Sequence, residues 1–310
     1  MVLLGDLHID SRVGNTNVSE IFVQHMDSVI DFINTQDKVI FLGDYFNPSE
    51  PYNIYREKLS DMLCKIKVPI RMLVGNHDRD KRGSYSVSYL TPFWKGTDNK
   101  VIDTYLEEGD CCYISYTLEF DKMKEIINKT KCKYIIGHFS FEYEKGNRIM
   151  KGEIEYDKAW DDKIFILGHI HKSQQKNNVI YVGSASPTNL GELDYKFRYA
   201  YFDKSNMLQF KELKYEFSEK VIKNVNDLNG VDENTRVIID IDNAEEKNKI
   251  MAMLADKKVL GCKAISKEHN IDISKLKVTE LVKEYLEKLG RTDLYEEAMK
   301  FVPKNVVGVE

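Results

Sequence analysis

Five short apolar runs in this chain each end in a glycine and a metal-binding type of side chain, and this recurrence constrains the fold more than any other feature. Val2-Leu-Leu leads to Gly5-Asp6-Leu7-His8, Lys38 to Leu42 leads to Gly43-Asp44-Tyr45-Phe46-Asn47-Pro48, and Pro69 to Val74 leads to Gly75-Asn76-His77-Asp78. Lys133 to Ile136 leads to Gly137-His138, and Lys163 to Leu167 leads to Gly168-His169-Ile170-His171. Each run is rich in β-branched residues and reads as a buried strand. The glycine then permits a sharp turn that presents the next side chain at the strand's end. Five strand ends converge on one rim.

The residue types at that rim define its chemistry. Carboxylate, imidazole and one amide, with no thiolate, make a hard to borderline site suited to Mn²⁺, Fe²⁺ or Zn²⁺. In Asp6-x-His8 and His169-x-His171 a spacing of two on an extended segment places both side chains on one face. Six or seven such groups suit two ions about 3.5 to 4 Å apart, a geometry for in-line displacement at a phosphodiester. His25 and His269 fall outside the set and read as structural.

The rest of the composition narrows the setting. A chain of 310 residues exceeds the size at which single cores stop growing, about 250 to 300 residues, which predicts one large domain and something smaller. With 42% hydrophobic and 31% charged residues it is not a disordered chain. No apolar run approaches the roughly 18 residues of a membrane span, and the N-terminus lacks the pattern of a signal peptide, so a cytoplasmic protein with no membrane partner is expected. Five cysteines, odd in number and without a C-x-x-C, agree as buried free thiols. A net charge of −5 argues against a basic clamp for nucleic acid. Any such grip is local, metal-mediated or borrowed from a partner.

The five motifs together resemble those of the calcineurin-like metallophosphoesterases, over about residues 1–203. Within that superfamily, Tyr181 to Glu192 followed by Arg198-Tyr-Ala-Tyr-Phe-Asp203 resembles the segment after the last metal motif of SbcD-type nucleases, including their phage recombination-endonuclease relatives. The resemblance implies one metal held by Asp6, His8, Asp44 and His171 and another by Asp44, Asn76, His138 and His169, with Asp44 as the bridge. Mn²⁺ is the expected ion. Two divalent cations against two carboxylates leave a net positive hole that attracts a phosphodiester despite the acidic chain. His77 matches the family's phosphate-contacting histidine, which stabilises the transition state and protonates the leaving oxygen. Asn47 and Asp78 are expected to orient it. Many relatives carry Asp or His at position 47; a neutral Asn would orient His77 without raising its pKa.

Between the motifs the pattern alternates strand and helix, with helical periodicity over residues 18–34 and 52–66. The fold class is therefore α/β, and the resemblance specifies an α/β/β/α sandwich with a small α+β capping domain and a C-terminal helical pair. The expected domains are 1–203 for the nuclease, 204–266 for the cap and 267–310 for the helical segment. In the cap, Leu208 to Leu213 and Tyr215 to Phe217 read as strands, a polar stretch spans 218–234, and a strand-helix-strand unit follows. The connection from Phe139 to Trp160 mixes aromatic and basic residues that could meet nucleic-acid strands or simply pack.

The activity expected is a two-metal DNA exonuclease or endonuclease subunit acting in recombination or double-strand-break repair. The resemblance implies a homodimer and an SbcC-type coiled-coil ATPase docked on the terminal helical pair. The alternative is a stand-alone phosphoesterase for monoesters or cyclic nucleotides. A protein Ser/Thr phosphatase is disfavoured, because Asn47-Pro48 replaces that family's Asp-Arg-Gly and Asp78 its Glu. A metal-free scaffold has no use for so many polar groups at strand ends.

Overall fold

The computed structural model describes residues 1–264, apart from 11, 14–15, 81–82, 146–147, 189–191, 193–194, 214–217, 233–234, 242, 256–258 and 260, together with residue 295. The expected helical segment 267–310 thus lies outside the described residues, Tyr295 excepted.

Two six-stranded sheets carry the fold. The first contains β1 (Val2–Leu4), β4 (Val39–Phe41), β5 (Ile70–Leu73), β6 (Lys100–Ile102), β15 (Arg198–Phe202) and β16 (Leu208–Glu212), in the order β16-β15-β1-β4-β5-β6. The second contains β7 (Tyr105–Glu108), β8 (Cys111–Ile114), β9 (Tyr134–Gly137), β12 (Ile164–Leu167), β13 (Gln174–Lys176) and β14 (Val179–Tyr181), in the order β13-β14-β12-β9-β8-β7. Four strands of each sheet are parallel, and antiparallel neighbours extend it. Three small β-structures complete the described strands. These are the hairpins of β2 (Arg12–Val13) with β3 (Thr16–Asn17) and β10 (Tyr143–Lys145) with β11 (Arg148–Met150), and a parallel sheet of β17 (Ser218–Ile222), β18 (Thr235–Ile239) and β19 (Gly261–Ala264).

Period-two alternation along the strands builds the layers. Val2, Leu4, Val39, Phe41, Ile70 and Met72 join one apolar cluster, whereas their neighbours Leu3, Ile40 and Leu73 join another. That second cluster also takes Tyr113, Ile136 and Ile166 from the other sheet, so it is the layer between the sheets. Cys112, Ile135, Phe165 and Leu167 face the opposite way into a third cluster. Helices cover the outer faces. On the first sheet, α1 (Val18–Ile33) buries Met26, Val29, Ile30 and Ile33, and α2 (Asn53–Cys64) buries Tyr55, Leu59, Met62 and Leu63. On the second, α4 (Phe120–Lys129) buries Met123 and Ile127. The short α3 (Leu90–Trp94) precedes β6. The architecture is the expected α/β/β/α sandwich.

Phe139, Phe141 and Trp160 are all buried in the outer core of the second sheet, so of the two readings open for the long connection these aromatics take the packed one. The stretch from Ser218, expected only to be polar, begins with the strand β17, whose Ile222 is fully buried. Only two apolar residues mark that strand; its parallel pairing with β18 supplies what the local pattern lacks. The strand β16 belongs to the first sheet, which therefore continues past residue 203. The sheet β17-β18-β19 and α5 (Ala244–Ala255) form a separate apolar cluster around Ile222, Val237, Ile239 and Ile250. Among the described residues no helix is long and apolar enough to cross a membrane.

Candidate metal centre

The C-terminal ends of β1, β4, β5, β9 and β12 meet at one rim, as the motif pattern requires. Asp6, His8, Asp44 and His138 are buried there, Asn76, His169 and His171 are half-buried, and His77 is exposed. Two groups of ligand-type atoms converge: Asp6 with His8 and His171, and Asp44 with His138 and His169. Asp44 Oδ2 lies 3.4 Å from His138 Nε2 and 3.8 Å from His8 Nε2, between the two groups.

Backbone geometry at this rim is unusual. Asp6, His8, Asp44 and His169 all take positive φ, at 40°, 40°, 54° and 73°. Side-chain-bearing residues in that region cost of order 1 to 3 kcal/mol each, a strain that persists where the surroundings over-determine it. The surroundings do so here. Both oxygens of Asp6 accept from His169 N at 3.0 Å, tying the first sheet's turn to the second's. Asp44 Oδ1 accepts from His77 N at 2.9 Å. Asp78, fully buried, accepts from the main-chain N of Asp44 (2.8 Å), Tyr45 (3.0 Å) and Gly75 (2.8 Å) and from Ser86 Oγ (2.9 Å). It thus binds the second and third turns together. A Cβ on Gly75 would lie 2.1 Å from Asp44 Oδ1, so no other residue fits beside that carboxylate unless it moves.

Hydrogen bonds to acceptor-only partners set the imidazoles. His138 Nδ1 donates to Leu42 O at 2.7 Å, His77 Nδ1 to Asn47 O at 2.7 Å, and His171 Nδ1 to a Glu192 carboxylate oxygen at 2.9 Å. In each ring Nε2 is the remaining nitrogen. His171 Nε2 meets His8 Nε2 at 3.2 Å, and Asn76 Oδ1 lies 2.9 Å from both His138 Nε2 and His169 Nδ1. Atoms that carry lone pairs therefore face one another, which a proton or a cation between them reconciles. His8 Nδ1, buried, has no hydrogen-bond partner.

The electrostatics point the same way. Burial, and to a lesser degree His171 and other imidazoles, pushes His8 down to about 3, and burial with His138 does the same to His169, so both rings are neutral at neutral pH. Burial raises Asp6 to about 6 against the pull of His138 and His171. Burial would raise Asp44 too, but His138 beside it holds that carboxylate well below its ordinary range. In His138 burial is likewise overcome by Asp44, which lifts the imidazole to about 10. A proton on His138 thus offsets a carboxylate that a divalent cation would bind, and binding that cation releases the proton. The donor set fits hard to borderline divalent ions.

Every residue singled out from the sequence lies at this rim. At position 47 a contact with His77 runs through the main-chain carbonyl, and that bond does not depend on the side chain there. Sequence reasoning missed four neighbours. Glu192 holds His171, and Glu153 Oε1 lies 3.5 Å from His169 Nε2. Tyr116 stacks at 6.2 Å on His169, and Asp10 Oδ1 accepts from Asn47 N at 2.6 Å. Glu192 stands within the segment resembling the nucleases, and Tyr116 stands two residues past β8, but without a glycine turn or a ligand-type side chain to mark it.

A family model described as Calcineurin-like phosphoesterase matches residues 1–182. The SbcD subunit of the nuclease SbcCD from Staphylococcus epidermidis is 23% identical over 231 residues, covering 60% of this chain and 59% of that protein. The chain thus spans about three fifths of the length of this curated relative. Among solved structures, the purple acid phosphatase PPD1 from yellow lupin (Lupinus luteus) seeds aligns with a TM-score of 0.38 and 12% identity, over 69% of this chain and 52% of that one.

Proposed function

Because the chain belongs to the calcineurin-like phosphoesterase family, whose members are metal-dependent hydrolases with a dinuclear site, we propose that it is a nuclease subunit that hydrolyses DNA phosphodiesters in recombination or double-strand-break repair. The observation that carries this reading is the pair of ligand groups with Asp44 between them. Its DNA specificity leans on the likeness to the staphylococcal SbcD protein.

In this reading Asp6, His8, Asp44 and His171 hold one ion and Asp44, Asn76, His138 and His169 the other, both Mn²⁺. Such ions polarise phosphoryl oxygens and bring a water's pKa toward neutrality. The chain's own residues do the rest. The main-chain anchors on Asp6 and Asp44 fix both carboxylates before substrate arrives, and this preorganisation is what makes charge stabilisation effective. His77 is exposed and stands edge-on to His8, with ring centroids 5.2 Å apart. Its Nδ1 is occupied by Asn47 O. Its Nε2 is then the atom that would meet the phosphate, and only the ring that carries a second proton, on Nε2, can pass it to the leaving 3′ oxygen and revert to the neutral form with Nδ1–H.

The partner is an SbcC-type ATPase, docked through residues 267–310, with the β17-β18-β19 unit as part of the cap that orients DNA and the chain acting as a homodimer. The test is Mn²⁺-dependent hydrolysis of linear duplex and single-stranded DNA, a chromogenic phosphodiester and a chromogenic monoester. The proposal expects DNA and the diester to be cleaved faster than the monoester. The reverse order would favour a stand-alone phosphomonoesterase. Removal of residues 273–310 should leave diester cleavage intact and abolish ATP-stimulated digestion; loss of diester cleavage would contradict the assignment of that segment.

A further inference from the structure

The two histidines of Gly168-His169-Ile170-His171 share an arrangement that goes beyond their place among the ligands. Each ring turns one nitrogen toward the centre and the other toward a glutamate. His171 presents Nε2 to His8 and Nδ1 to Glu192 Oε1, at 3.2 and 2.9 Å. His169 presents Nδ1 to Asn76 Oδ1 and Nε2 to Glu153 Oε1, at 2.9 and 3.5 Å. The two side chains use opposite nitrogens, yet both end on a carboxylate.

Neither glutamate is held by chance contact alone. Glu192 Oε2 accepts from Thr188 N and Thr188 Oγ1, both at 2.8 Å, which leaves Oε1 for the imidazole. Glu153 Oε2 accepts from Ser140 N at 3.0 Å, and Ser140 is two residues past His138. Glu192 is therefore clamped through one oxygen and aimed through the other, while Glu153, held through Ser140 and also hydrogen-bonded by the Tyr116 hydroxyl, turns Oε1 toward His169. Both lie far from the five motifs in sequence register, one before β12 and one after β14, so two separate loops supply the same kind of contact.

We propose that Glu192 and Glu153 are paired positioning residues, one for each metal, which fix the orientation and proton placement of His171 and His169 so that the inward nitrogen of each ring carries a lone pair. The inference rests on the reading of those two histidines as ligands. An outer carboxylate that takes the N–H of a ligating imidazole raises its basicity and holds its rotamer, and losing such a group lowers metal affinity about 10- to 100-fold. Glu192, with the shorter contact, has the larger effect. Its loss weakens the ion held by Asp6, His8 and His171, whereas loss of Glu153 weakens the ion beside His138.

The test is calorimetric titration of the metal-free full chain with Mn²⁺, for wild type, Glu192→Ala, Glu192→Gln and Glu153→Ala, with thermal melting of each metal-free protein beside it. Wild type is expected to take two ions. Glu192→Ala should weaken one of them about 10- to 100-fold and leave the other within about threefold, Glu153→Ala should do so more mildly at the other, and Glu192→Gln, which keeps an acceptor oxygen, should recover part of the loss. At saturating Mn²⁺ the electron paramagnetic resonance spectrum of a coupled pair should return in Glu192→Ala. Equal weakening of both ions, unchanged affinity in Glu192→Ala, or no recovery in Glu192→Gln at an unchanged melting temperature would each overturn the proposal. A wild type that binds fewer than two ions would instead refute the ligand reading beneath it.

Discussion

Gly75→Ala isolates the geometry of the centre from its chemistry, because it adds one methyl group and removes no functional atom. The added Cβ would sit 2.1 Å from Asp44 Oδ1, 2.5 Å from Asp44 N and 2.8 Å from Asp44 Cγ. Ordinary van der Waals contact begins near 3.4 Å, so the carboxylate must retreat by about 1.3 Å or the turn must open by a similar amount. The main-chain N of Asp44 is itself held by Asp78, which resists the second escape. Overpacking of this kind costs about 1 to 3 kcal/mol, which a domain with ordinary stability survives. The effect on the site is larger. Misplacing a catalytic group by about 1 Å can cost about 100-fold in rate, and Asp44 lies beside His138 of its own ligand group and His8 of the other. The assay pairs a urea melt with Mn²⁺-dependent cleavage of a chromogenic phosphodiester. The expected variant is folded, with activity lowered at least about 100-fold. A folded Gly75→Ala chain with activity and Mn²⁺ affinity within threefold of wild type would refute the reasoning.

Other outcomes follow from the same contacts. His77→Ala should bind two Mn²⁺ ions and lose most diester cleavage, as calorimetry and a rate assay would establish; loss of the ions would make His77 a ligand. Asp78→Ala strips the acceptor from three main-chain N–H groups, at about 1 to 3 kcal/mol each, so the variant should melt far below wild type or fail to fold. Mn²⁺ binding at pH 7 should release at least one proton, because His138 is lifted to about 10 and must give one up to bind; titrations in buffers of different ionisation heat measure this, and zero release would contradict it. Cys112 is buried and its thiol pushed up to about 12 by that burial, so it should resist alkylation at pH 8 while exposed Cys64 reacts, as mass spectrometry of the native chain would reveal.

The metal centre is legible in the sequence because each ligand stands directly after its own strand, where period-two burial and the glycine make a local signal. Val2, Leu3 and Leu4 are all apolar because the strand is buried on both faces, Val2 and Leu4 in one core and Leu3 in the other. What stays hidden depends on encounters between distant segments. Glu153 and Glu192 meet their histidines across 16 and 21 residues; Glu192 lies in the segment that resembles the nucleases but carries no ligand motif, and nothing in the neighbourhood of Glu153 distinguishes it from a surface carboxylate. The bond from His77 to position 47 is equally hidden, because a main-chain carbonyl, present whatever the residue, makes it. Phe139 and Phe141 read as exposed or packed with equal ease, since an irregular segment has no periodicity by which to tell its faces apart. The strand β17 is obscured for a related reason: its parallel partner, β18, begins 17 residues later.

The central claim is that two ligand groups make one dinuclear centre joined by Asp44. The most direct measurement is the metal content of the full chain after saturation with Mn²⁺ and removal of free ion, compared between wild type and Asp44→Ala. The account predicts two ions per wild-type chain and none retained by Asp44→Ala, with the variant still folded by circular dichroism. A wild-type chain that retains one ion or none, or an Asp44→Ala chain that keeps two, would contradict it.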